Sequence, residues 1–177
     1  MKKFVALSSA LFFLGACGGG SSESADSSGL TAEECQSFGF TGTASRIADD
    51  GFGQAAGDYT GDDFTDVVSE GGNWFKILAA SYPVETSDAG STADVPDGGV
   101  AIRIDFAEGT TGATGDLGWG NPGLPPLVSN GGSGANQEDT VGTYTVIEAA
   151  SGAICVQVTY TDTHQSIDGV FVARFSE

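Results

Sequence analysis

Val100, Ile102, Ile104 and Phe106 alternate with Ala101, Arg103 and Asp105. This period of two predicts a strand with one face in a core. Ile154, Val156, Val158 and Tyr160 alternate in the same way with Cys155, Gln157, Thr159 and Thr161. Thr143 to Ile147 and Val170 to Phe175 flank that strand, with glycines at 152 and 169, so the last three strands read as a meander. Trp74 to Ser81 is an apolar strand that stops before Pro83, with Trp74 in the core, and Phe38 to Ile47 reads as the first strand. Helical spacing is scarce. Thr31-Ala32-Glu33-Glu34 fits a capping box and predicts a short helix over about 31–37. Phe64, Val67 and Val68 lie at i, i+3, i+4 behind Asp62 or Asp63 and predict a second over Asp62 to Glu70, ended by Gly71-Gly72. Gly115 to Asp139 holds Pro122, Pro125, Pro126 and Gly131-Gly132 and reads as an extended surface loop. The expected class is mainly β: an antiparallel β-sandwich, with a small β-barrel as the alternative and one or two short helices near the N-terminus.

Composition narrows the partners. The 177 residues carry 24 acidic and 6 basic side chains, a formal charge of −18. Binding to nucleic acid needs clustered Lys and Arg, and so does electrostatic attachment to an anionic membrane, so neither is expected. The 28 glycines are roughly twice the usual share and suit a chain of tight turns.

The first residues change the picture further. Lys2 and Lys3 precede an apolar run from Phe4 to Leu14, too short to span a bilayer. The run ends in Leu14-Gly15-Ala16-Cys17, which resembles the lipobox of bacterial lipoproteins. The resemblance implies cleavage before Cys17, a diacylglycerol on its sulfur and acylation of its new amino group. It thus implies anchoring in the cell envelope through the lipid on Cys17. Gly18 stands where an Asp commonly retains such proteins at the inner membrane, which points to the outer membrane. The alternative is an ordinary secretory signal with an incidental cysteine. On this reading residues 1–16 are signal and residues 17–29 are lipidated Cys17 plus tether. Gly18 to Gly29, GGGSSESADSSG, has no apolar residue larger than Ala25 and cannot offset the entropy of ordering. Twelve such residues reach roughly 20 Å.

Residues 30–177 then form one β-rich domain of a size that supports a real core. With Cys17 lipidated, Cys35 and Cys155 remain, and an even pair in an exported protein reads as a disulfide, the alternative being two buried thiols. Cys155 points away from the apolar face of its strand, so the N-terminal segment must cross the sheet's outer face to reach it.

Candidate chemistry is thin. Asp162, the single histidine His164, and Ser166 alternate, but strand residues two apart are about 6.6–6.8 Å apart along the axis, too far for a locally built triad. Asp58, Asp62, Asp63 and Asp66 could supply oxygens to calcium, though they lack the EF-hand order; solvated surface charge is the alternative. Trp119, between glycines, could present a face to a sugar or to an envelope protein, or fold back over the core. No GxSxG, Walker A or helix-preceding GxGxxG pattern is present. The expectation is a non-enzymatic, lipid-anchored envelope domain with a binding or structural role. The alternatives are a calcium- or carbohydrate-binding module, and a hydrolase using paired carboxylates.

Overall fold

The computed structural model describes residues 29–46, 56–91, 95–118, 126–129 and 142–176. Ten strands follow in chain order: β1 (Gly39–Arg46), β2 (Gly57–Thr60), β3 (Asp66–Glu70), β4 (Phe75–Ala80), β5 (Ala101–Phe106), β6 (Thr114–Leu117), β7 (Leu127–Ser129), β8 (Gly142–Ala150), β9 (Ala153–Thr161) and β10 (Gln165–Ser176). They form one sheet, in the order β6-β8-β9-β10-β3-β4-β5-β7, curled into a half-barrel. β10 is its hub. One edge pairs with β9, from Ser166 to Arg174. The other edge pairs first with β1 and then, in parallel, with β3. β2 pairs with β1 alone.

The alternating positions do what their period requires. Ile102, Ile104 and Phe106 of β5 enter the main core, as do Ile154, Val156, Val158 and Tyr160 of β9. Each fully buried aliphatic side chain of this kind contributes about 1.5–3 kcal/mol. Phe40 of β1 reaches the core over a local gap between strands. Gly42 and Gly169 stand directly opposite each other in the β1–β10 ladder. A Cβ on Gly169 would fall 2.6 Å from the Phe40 ring, and one on Gly42 would fall 2.2 Å from the Asp168 carbonyl oxygen. With neither present, Phe40 stacks on Phe171 at a centroid distance of 4.5 Å.

The outer face is covered twice. Leu30 and Cys35 lie over Ala153, Cys155 and Val172, and a disulfide joins Cys35 to Cys155 with the Cα atoms 5.8 Å apart. This is the crossing that the outward Cys155 demanded. On the other half of the sheet, Val84 and Ala89 cover Val68, Leu78, Ala80 and Ala101.

Five expectations need correction. The sheet is mixed, not purely antiparallel, because β3 and β10 run parallel. The second helix is absent: Gly61–Asp63 is a single 3-10 turn and Asp66–Glu70 is β3. Val67 and Val68 are both buried, one in the inner core and the other in the outer cluster, so two consecutive apolar residues imitate helical spacing. The first helix shrinks to a 3-10 turn, Glu33–Cys35, without a side-chain cap. The Thr31 hydroxyl turns instead to Glu148. The supposed loop from Gly115 to Asp139 contributes most of β6 and all of β7. Trp74 lies half-buried just before β4 and not in its core.

Candidate functional site

The two ends of the half-barrel differ in chemistry. One is sewn shut by Gln165, the buried first residue of β10. Its Oε1 accepts from Arg46 Nη1 at 3.1 Å and from the Val128 amide at 3.0 Å. Its Nε2 donates to the Pro126 carbonyl. One amide thus joins β10 to the end of β1 and to β7, the last strand on the far side of the sheet. The neighbouring Asp162 holds the β9–β10 turn: its Oδ1 accepts from the His164 and Gln165 amides, each at 2.7 Å.

The other end is open. A cleft of about 620 Å³ lies where β3, β4, β8 and β10 terminate. Its floor is aromatic. Phe75 stacks between Phe106 and Phe175, each centroid 5.8 Å away, and Phe106 meets Tyr144 at 4.8 Å. Gly71 and Gly109 form flat walls against these rings. A Cβ would fall 2.9 Å from Phe175 at the first and 2.3 Å from Phe75 at the second. Thr110, Thr111 and Ser151 supply the hydroxyls of the rim. Two of them are engaged: Thr110 donates to Glu108 at 3.0 Å, and Thr111 accepts from the Ala149 amide at 2.9 Å. The lining side chains carry no charge.

The N-terminal segment ends beside this cleft. Gly29 abuts Ala150, a rim residue, with a Cβ–Cβ separation of 3.4 Å were Gly29 to carry one. Glu148 fixes the segment there. Its Oε2 accepts from the Thr31 amide at 2.6 Å and the Ala32 amide at 2.9 Å, and its Oε1 accepts from the Thr31 hydroxyl at 3.0 Å. The Ala32 and Thr31 amides together hold its carboxyl below the usual carboxylate range. A depressed folded pKa means the fastening is complete above the ordinary glutamate pKa and is lost as pH falls through the folded value. The Thr31 and Ala32 amide proton shifts, followed by NMR through an acid titration, are expected to move together below the ordinary glutamate range. In Glu148→Gln that titration should vanish.

The residues singled out in the sequence do not converge. Asp66 holds the outer cover: Oδ1 pairs with Arg174 at 2.6 Å and Oδ2 accepts from the Val84 amide at 3.2 Å. Asp63 accepts from the Thr60 amide and hydroxyl, capping its own 3-10 turn. Asp58 and Asp62 are exposed. Among the described residues no group of three or more His, Cys, Asp or Glu side chains is placed to hold a metal ion. His164 contacts Thr163, and Ser166 contacts Ser45, so Asp162, His164 and Ser166 form no relay. Burial, then the nearby Asp63 charge, pushes the Tyr59 phenol up, and burial is the main cause of the rise at Tyr144, so neither is an activated nucleophile. Trp119 and Cys17 lie outside the described residues.

No family model, no curated protein and no solved structure matches the chain. No helix among the described residues is long and apolar enough to cross a membrane, which says nothing of β-barrels.

Sequence reasoning missed the cleft because it is assembled from the ends of strands far apart in the chain. Its one local signal is the set of glycines next to aromatic strand ends, Gly71-Gly72 before Phe75 and Gly109 after Phe106.

Proposed function

We propose that this is a lipid-anchored, non-enzymatic binding domain of the bacterial envelope, held at the outer membrane through Cys17. The observation that carries the reading is the double fastening of the N-terminal segment. A disulfide and the Glu148 carboxylate fix Leu30 to Cys35 on the domain, so a tether from Cys17 would leave at one defined point, at the rim of the cleft. A domain held this way keeps that rim within the tether's reach of the membrane. The catalytic alternatives lose support, because several described carboxylates are engaged in structural contacts, as caps, ion pairs or the Glu148 fastening. Asp105 takes Arg103 in a two-point pair, and Glu70 takes Lys76. We read the curled sheet as an opened small barrel in preference to a sandwich, because all ten strands belong to one sheet.

Cys17→Ser tests the anchor. Carried behind a signal that is cleaved without lipidation in place of residues 1–16, the variant is expected to incorporate no radiolabelled palmitate and to move from the membrane pellet to the soluble periplasmic fraction. Unchanged labelling and pelleting would overturn the reading.

A further inference from the structure

We propose that the cleft floored by Phe75 and Phe175 takes one hydrocarbon chain of a bilayer phospholipid. The lining decides the ligand class. Two phenyl rings lie between glycine walls that bring no side chain into the space, so the surface is flat and apolar. No charged side chain lines it, so a charged headgroup finds no partner inside. A sugar needs its hydroxyls matched, and the hydroxyls of Thr110 and Thr111 are already engaged with Glu108 and Ala149. The volume, about 620 Å³, is within the ordinary range for a small-ligand site.

Position decides the source. Gly29 lies against Ala150 on the rim, and the sequence from Gly18 to Gly29 reads as a tether whose reach would be roughly 20 Å. An anchored domain therefore keeps this mouth within reach of the bilayer, where phospholipid chains are the commonest apolar ligand. The high negative charge of the chain disfavours broad contact of its surface with an anionic membrane, which leaves the uncharged lining of the cleft as the feature suited to lipid. The proposal rests on the anchored reading for where the lipid is met, and not for whether the cleft binds it.

The test uses the mature chain, residues 17–177 carrying Cys17→Ser, free of its own lipid and of the apolar run Phe4 to Leu14. The neutral probe N-phenylnaphthylamine is expected to bind saturably with a blue-shifted emission. Dioctanoyl phosphatidylethanolamine below its micellar concentration should displace it, and maltotriose should not. Ser151→Trp fills the mouth from an exposed turn and should weaken probe binding by at least about tenfold, 1.4 kcal/mol. Thr163→Trp, at the opposite end, should leave it unchanged. Thr110→Trp, also exposed, replaces Ser151→Trp if circular dichroism shows that variant to be unfolded. No saturable binding, displacement by the sugar, or full binding by the mouth-filled variant would each overturn the proposal. Lipidated wild-type protein that refuses the probe in detergent-free buffer would also overturn it, by making the chain's own anchor the occupant. Failure of the anchored reading would appear separately, in palmitate labelling, and leaves the probe titration interpretable.

Discussion

Gln165→Ala is expected to lower the unfolding free energy by about 3–5 kcal/mol. The side chain is buried, and its amide satisfies Arg46, the Val128 amide and the Pro126 carbonyl at once. Removing it leaves polar groups on β1 and β7 without these partners in a site closed to solvent. Each such group costs about 1–3 kcal/mol, more where one is charged. Domains of this size are stable by only about 5–15 kcal/mol, so the loss is a large fraction of the total. Urea unfolding followed by circular dichroism gives the number. Thr163→Ala, in the exposed turn two residues earlier, should stay within about 0.5 kcal/mol. A Gln165→Ala midpoint equal to wild type would mean that the two ends of the sheet close without this amide, and that the fold is held by core packing alone.

Removing the disulfide is the second large effect. Cys35 and Cys155 are separated by 120 residues, and a native bridge of this kind contributes about 2–5 kcal/mol. Cys35→Ala with Cys155→Ala should therefore bring the urea midpoint down sharply, and reduction of the wild-type protein should reproduce the shift. The loss should be ordered in space. Leu30 and the turn at Glu33–Cys35 are held to the sheet by the bridge and by Glu148, and otherwise by a small apolar cluster. Hydrogen exchange should show this segment opening first, while the β8–β9–β10 ladder keeps its protection. If exchange in the N-terminal segment does not change, the bridge is incidental to its docking. Because the two fasteners hold one segment, their losses should not add: Glu148→Ala should cost less once the bridge is gone, since a segment that already opens has less of that contact to lose.

These two predictions concern residues of unequal legibility. The cysteine pair was readable, because the export that the lipobox resemblance implies would remove most alternatives for an even count. The outward direction of Cys155 was readable too, since it follows from the period of its strand. Gln165 was not: nothing local distinguishes it from an ordinary polar turn residue, and its partners lie 37 and 119 positions away. Glu148 is hidden for the same reason, with its acceptors' partners more than 110 residues upstream. Strands that carry polar residues on the outer face announced themselves, as in β5 with Arg103 and Asp105 and β9 with Gln157, Thr159 and Thr161. β3 did not, because it is covered on both sides, and a strand buried on both faces loses the alternation that would identify it. β7 has three residues, too few for any period to register. The binding end suffers most from this limit. Phe75, Gly109 and Phe175 are each ordinary in their own segments, and only the curl of the sheet brings them together.

The position of β10 as hub has a consequence in time. It is the last of the ten strands to be synthesised, and it is the only neighbour shared by β1, β3 and β9. Until it emerges, the β1–β2 hairpin, the β3–β4–β5 meander and the β8–β9 hairpin are separate fragments with no common partner. Its pairing with β1 joins residues as far apart as Gly39 and Val172, the kind of long-range contact that slows folding. The growing chain therefore stays open for the whole of its synthesis, and a truncation ahead of Gln165 leaves pieces of a sheet and no sheet. A chain built in this order remains threadable until its last strand is delivered.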